Sequence, residues 1–494
     1  MKLIVQYLFA CCVLLFWGAC GPMVKVEVQS LEKSPLEETC VGVVVPCNIA
    51  PLNFYTSADD GKEAVILACG EHRLTALSEA GGMIPSMGAW KHLLRVAKGK
   101  DITVKHCVLV DGKWKAYRPF MIRVAAEIID PFLVYRLIPP GYEMWDAMGI
   151  YQRNLESFEE TCLIRNSQTE GNCMNCHSFC QQNPDKMLFH VRSKHAGTIL
   201  VNNGKITKID TKTDQTISSL VYPYWHPSGK FITFSVNDTK QLFHTHNPNR
   251  VEVLDRQSDV VVYDVLKNEL ITAPQLFDKE VFETFPTFSP DGKRLYFCTA
   301  KLRIMPNEYD KVRYSLCSIA FDADSRSFGE KVDTLYNAEK EGGSVSFPRV
   351  SPDGNYLMFT KAAYGNFSIW HQDADLWMID LKRHEKHALD EANSESVESY
   401  HSWSSNSRWV VFSSRRGDGL YTRLYLAYVD ADGRIHKPFV LPQKSGDFYD
   451  KCMYSYNIPE LVKGSVEVGN YRLVEQVREG SLQKVHAANG MKGR

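Results

Sequence analysis

The chain is almost without net charge. Its 57 lysines and arginines against 58 aspartates and glutamates leave a formal −1 over 494 residues. Binding a phosphate backbone needs a basic excess or a clustered basic face, so nucleic acid is excluded as a partner. Long apolar runs are also missing: beyond residue 19 no stretch reaches the roughly eighteen consecutive apolar residues of a spanning helix. No Gly-x-Ser-x-Gly, His-Glu-x-x-His or phosphate-cradling glycine loop occurs, which removes the common hydrolase and nucleotide-binding signatures. The 14 cysteines form no regular framework, and only one Cys-x-x-Cys is present. No second Cys-x-x-Cys exists to complete a four-cysteine zinc site, which weakens zinc.

What is present begins with a leader. Lys2 supplies a positive start, residues 3–17 are apolar but short for a span, and Gly18-Ala19-Cys20-Gly21 follows. Small residues before a cysteine suit a lipoprotein signal peptidase, so residues 1–19 are expected to be removed and Cys20 acylated. Trp17 departs from the leucine-rich start usual for that motif, and an ordinarily cleaved secreted protein is the alternative. The mature chain is expected to face the periplasm from a Gram-negative envelope membrane, held there by lipid.

The run Cys173-Met174-Asn175-Cys176-His177 has the spacing at which two thiols add to the vinyl groups of one haem and the adjacent imidazole ligates the iron. It predicts a single covalent haem c on Cys173 and Cys176 with His177 as proximal ligand. The alternative is a redox or zinc Cys-x-x-Cys beside an incidental histidine. Met187, His190 and His195 are the nearby sixth-ligand candidates, and an extended 186–192 puts Met187 and His190 on opposite faces. Arg192 is a candidate partner for a propionate. The other histidines, among them His226, His244, His246 and His401, fall at turns and loops where they can close hydrogen bonds. Most remaining cysteines read as buried thiols, with Cys40–Cys47 or Cys162–Cys180 as possible pairs.

Internal repetition organises the second half. Tyr222-Pro-Tyr-Trp-His-Pro-Ser-Gly-Lys, Thr284-Phe-Pro-Thr-Phe-Ser-Pro-Asp-Gly-Lys, Ser346-Phe-Pro-Arg-Val-Ser-Pro-Asp-Gly-Asn and Ser399-Tyr-His-Ser-Trp-Ser-Ser-Asn-Ser-Arg are copies of one unit. Each predicts strand, tight turn, strand: proline presets the first turn residue and glycine supplies positive φ. In the fourth copy Ser405-Asn406-Ser407 replaces Pro-Asp-Gly, which weakens the turn. With a further strand pair after each copy, the period implies four-stranded propeller blades. These segments resemble the TolB-like β-propeller, over roughly residues 186–460, and five or six blades are expected. Residues 237–249 read as a long polar loop at one rim, open to a partner or simply an exposed connection.

Residues 20–155 predict a separate small α+β or β-sandwich domain. Met87, Trp90, Leu93 and Leu94 have helical spacing, and a hairpin is expected around Asp111-Gly112. Together, Asn48-Ile-Ala-Pro-Leu-Asn-Phe54, the 129–154 segment, the Cys-x-x-Cys-His run and the repeats resemble a group of envelope lipoproteins that join a c-type haem motif to a TolB-like propeller. That resemblance implies no catalytic residues. The expected architecture is mainly β: leader, N-terminal domain, a haem-binding junction at 156–195, the propeller, and a tail at 461–494. The expected role is one-electron transfer or redox sensing with the propeller as docking platform for a redox partner protein. The alternatives are an envelope scaffold that binds other lipoproteins and carries a structural haem, and a haem peroxidase with an open distal site.

Overall fold

The computed structural model describes residues 24–56, 61–79, 82–139, 147–489 and 491. The expected leader and Cys20 lie outside the described residues. The chain divides into two compact units, one of residues up to 128 with 442–452, the other of 129–441 with residues from 453 onward.

The first unit is α+β. A seven-stranded sheet runs in the order Val26–Gln29, Lys113–Ala116, Asp101–Val110, Glu63–Cys69, His72–Leu77, with Phe120–Val124 and Val44–Val45 branching from it. The hairpin turns at Asp111 and Gly112, both at positive φ (50° and 75°), as a two-residue turn requires. The helix Met87–Ala97 buries Trp90, Leu93, Leu94 and Ala97 on one face. Trp90 also donates its indole N–H to the Ile49 carbonyl at 2.9 Å.

The second unit is a six-bladed β-propeller. Blades 1 to 5 run in chain order, with inner strands Met174–Phe179, Leu220–Trp225, Val281–Phe288, Ser344–Val350 and Glu398–Trp403. Blade 6 takes its inner strand, Ser455–Val462, from late in the sequence and its outer three, Phe132–Ile138, Gly149–Asn154 and Glu160–Arg165, from before blade 1. The propeller therefore starts some fifty residues earlier than the repeats suggest. The region expected as a tail supplies the helix Asn470–Glu479, which buries Leu473 and Val477 against blades 6 and 1, and two strands, Leu482–Lys484 and His486–Ala487, that extend blades 1 and 2.

The repeated turn has one hydrogen-bond pattern. Ser289 Oγ donates to Asp291 at 2.5 Å and accepts the Arg294 N–H at 3.0 Å, with Gly292 at φ 74°. Ser351 with Asp353 and Gly354 repeats it, and so does Ser404 with Asn406. In that last copy Ser407 takes the left-handed position itself, at φ 61°, so the turn survives loss of the glycine. The supposed polar loop is a hairpin: Phe231–Phe243 and Val251–Asp264 pair almost to their ends.

Candidate functional site: a cavity on the propeller axis

Every inner strand carries the same irregularity. The ladder slips in each, and the residue at the slip has positive φ: Cys176, Tyr222, Phe285, Phe347, Tyr400 and Ile458, at 27–53°. A bulge of this kind re-aims a side chain, and here it turns six of them toward the axis. The rings of Tyr222, Phe285, Phe347 and Tyr400 follow one another at centroid distances of 4.5, 4.3 and 4.4 Å. Cys176 and Ile458 stand at the two remaining repeat positions. On one side of this ring lies a cavity of about 740 Å³, on the other a pocket of about 60 Å³.

Both thiols of the motif line the large cavity. The motif thus sits within the inner strand of blade 1, with Cys176 in a fold position that four other blades fill with an aromatic, rather than at a junction before the propeller. Burial pushes the Cys173 thiol up, the direction opposite to that of an activated thiolate. Tyr222 and Tyr400 line the floor, and burial raises both phenols well above their ordinary range.

The remaining expected residues separate. His177 follows the bulge and its ring faces the backbone of Val134 and Ile458 in blade 6, outside the cavity lining. Desolvation lowers it to about 3. The same position is Pro223, Pro286, Pro348 and Pro459 in four other blades and His401 in the fifth, also held at about 3 by burial. His190 lies directly across the ladder from Asn175 and lines the cavity; its Nδ1 bonds Thr198 Oγ1 at 2.7 Å. Met187 points the other way and is fully buried among Met174, Phe179 and Phe189, away from the cavity. It is a packing residue in this structure, because the apolar face of its strand is the blade 6–blade 1 core. Arg192 lines the cavity, exposed, its backbone N–H donating to the Cys173 carbonyl at 2.9 Å. His195 lies 3.3 Å from Glu170 instead. Cys162 and Cys180 are separate free thiols. His226 closes hydrogen bonds, Nδ1 to Ser228 Oγ at 2.7 Å and Nε2 to the Gly292 carbonyl at 3.1 Å.

Several cavity residues carry no motif in the sequence. Arg136 enters from blade 6, Arg415 and Thr422 from blade 5, Ser455 and Asn457 from the closing strand. One wall is the long hairpin of blade 2, which turns Thr239, Gln241, Phe243, Val251 and Val253 inward. Its Glu252 is buried outside the cavity lining, accepts from Tyr364 at 2.7 Å and lies 2.9 Å from His371 Nε2. Over 239–243 the sequence Thr-Lys-Gln-Leu-Phe has no polar–apolar alternation, so nothing in it signalled that wall.

No family model matches the chain, and no curated protein matches it. Among solved structures it is similar to TolB from Acinetobacter baumannii, 13% identical over 76% of this chain and 84% of that one, with a TM-score of 0.42. It is likewise similar to the periplasmic gluconolactonase PpgL of Pseudomonas aeruginosa, 11% identical over 81% and 99% of the two chains, with a TM-score of 0.36. These are likenesses of fold.

Proposed function

We propose that this chain is an envelope protein, lipid-anchored through Cys20, that holds one haem covalently through Cys173 and Cys176 in the axial cavity and serves one-electron transfer or redox sensing. The observation that carries the reading is that both thiols of the Cys-x-x-Cys-His motif open onto one cavity of about 740 Å³, within the range that encloses a cofactor. Thiols, volume and the nearby guanidinium groups fit a haem; the imidazole of His177, turned toward blade 6, does not. A haem bound there would supply a one-electron couple whose potential the surrounding dielectric sets. For their part, the thiols tether, Arg192 and Arg136 offer positive charge beside Cys173, and the aromatic ring closes the axis behind the ligand. A protein partner would dock at the cavity's rim.

The orientation of His177 favours a second reading, an envelope scaffold or binding propeller whose cavity serves a ligand and not a redox centre. One experiment separates them. The mature chain is made in a periplasm with cytochrome c maturation, and its pyridine haemochrome spectrum is compared with that of Cys173→Ser/Cys176→Ser. A c-type signal that survives denaturing electrophoresis and disappears in the double variant is expected. Absence of covalent haem from the parent chain would overturn the reading in favour of the binding propeller.

A further inference from the structure

Two of the guanidinium groups lining the cavity are buried without a carboxylate in direct contact, Asp418 acting on Arg415 only from a distance. Arg136 is 9% exposed and Arg415 is 4% exposed, and among the described residues neither has a carboxylate within 4 Å. Their neighbours do: Arg416 reaches Glu398 at 3.0 Å, and Arg423 reaches Asp418 at 3.8 Å. Arg136 spends Nη1 on the Met174 carbonyl at 3.0 Å and on Asn175 Oδ1 at 2.7 Å, while its Nε has no partner. Arg415 donates Nε to the Ile369 carbonyl at 3.2 Å and Nη1 to the Leu420 carbonyl, and its guanidinium lies 3.4 Å over the Trp370 ring. Backbone carbonyls and a ring face orient these cations without neutralising them. A buried cation left in that state is costly unless something anionic completes it.

The wall between them is polar and incomplete in the same sense. Ser455 Oγ accepts the Thr422 N–H at 3.2 Å, whereas the Thr422 hydroxyl is buried without a partner. Hydroxyls that can donate, set between two planar forks, are the chemistry that recognises carboxylates. Among the described lining residues Asp210 is the one carboxylate, and it belongs to the outer strand of blade 1, not to this wall.

We propose that the blade 5–blade 6 wall, Arg136 and Arg415 with Thr422 and Ser455, binds the carboxylate groups of the cavity's ligand. Where the ligand is the tethered tetrapyrrole, whose two propionates have this chemistry, the inference rests on the reading above. Where a free dicarboxylate is the source, it stands without that reading. The test uses the mature Cys173→Ser/Cys176→Ser chain, which cannot form thioethers, titrated with protoporphyrin IX, with its dimethyl ester, and with glutarate as competitor. Protoporphyrin IX is expected to bind at least about tenfold more tightly than the ester, the scale of one charge-assisted hydrogen bond. Adding Arg415→Gln should remove that preference, and Arg415→Lys, which keeps the charge over Trp370, should restore part of it. Tighter binding of glutarate than of either porphyrin, lost in Arg415→Gln, would support the wall and assign it a free dicarboxylate. Equal binding of acid and ester, no binding of any probe, or a folded Arg415→Gln chain with unchanged affinity would overturn the proposal. The haemochrome spectrum reads covalent attachment separately, so its failure is not confused with this one.

Discussion

A histidine stands where four blades have proline, and it does so twice. His177 and His401 each follow the bulged residue and lie buried between blades; burial holds both, and His190, at about 3. An unfolded histidine titrates near 6.5, so the native state binds fewer protons than the unfolded chain between these values. The stability these groups contribute is therefore full above pH 6.5 and is lost as pH falls toward 3. Glu460 and Asp255, raised by burial to about 7 and about 6, act with the opposite sign: their contribution is full below their ordinary carboxylate values and is lost as pH rises through 7 and 6. The two sets are separated by substitution. In His401→Gln the drop in melting temperature between pH 7 and pH 5 should be smaller than in the parent, and thermal melts at the two pH values check it; an unchanged drop would remove His401 from the account. The alternation along 186–192 was legible, since Met187 and His190 do face opposite ways. That Arg136 and Arg415 line one cavity was not, because residues far apart in sequence come to the same cavity only through blade closure.

At the scale of the element, the Ser-Pro-Asp-Gly turn could be read directly because each of its residues has a fixed backbone task. Gly292 has two. It lies at φ 74°, and a Cβ there would stand 2.2 Å from His226 Nε2, the atom that bonds its own carbonyl. Gly292→Ala should destabilise the propeller by about 1–3 kcal/mol through backbone strain and overpacking, read as a lower denaturant midpoint. Gly354→Ala, at the same φ but with open space around its Cβ, should lose less, and equal losses would show that packing against His226 contributes nothing. Two copies of the unit stayed hidden. Cys176-His-Ser-Phe and Ile458-Pro-Glu-Leu keep the bulge but lack the Pro-Asp-Gly turn, and only the slipped ladder reveals them. The blade 2 hairpin was misread because its inward residues are polar: Thr239 and Gln241 face a cavity, so the usual apolar-in pattern of a strand is missing.

For the whole molecule, the decisive fact is how the ring of blades closes. The strand Ser455–Val462 pairs with Phe132–Ile138, so blade 6 has no inner strand without it, and the helix Asn470–Glu479 then covers the blade 6–blade 1 core. A chain ended at Met453 should lose its cooperative unfolding transition and any cavity binding; a melt like that of the full chain would mean that five blades suffice. The propeller itself was legible from four periodic segments, but its extent was not, because closure joins segments that share no periodic sequence. The N-terminal unit was legible in its helix and hairpin for the opposite reason, that both are local.

The six bulged side chains carry one further consequence. They line the large cavity through Cys176, Tyr222 and Tyr400 and the small pocket through Phe347, Tyr400 and Ile458, and so divide the space on the axis in two. Whatever occupies the cavity lies against a hairpin that Glu252 fastens to Tyr364 and His371. A partner seated there would be doorkeeper as well as neighbour, setting both what reaches the thiols and how long it stays.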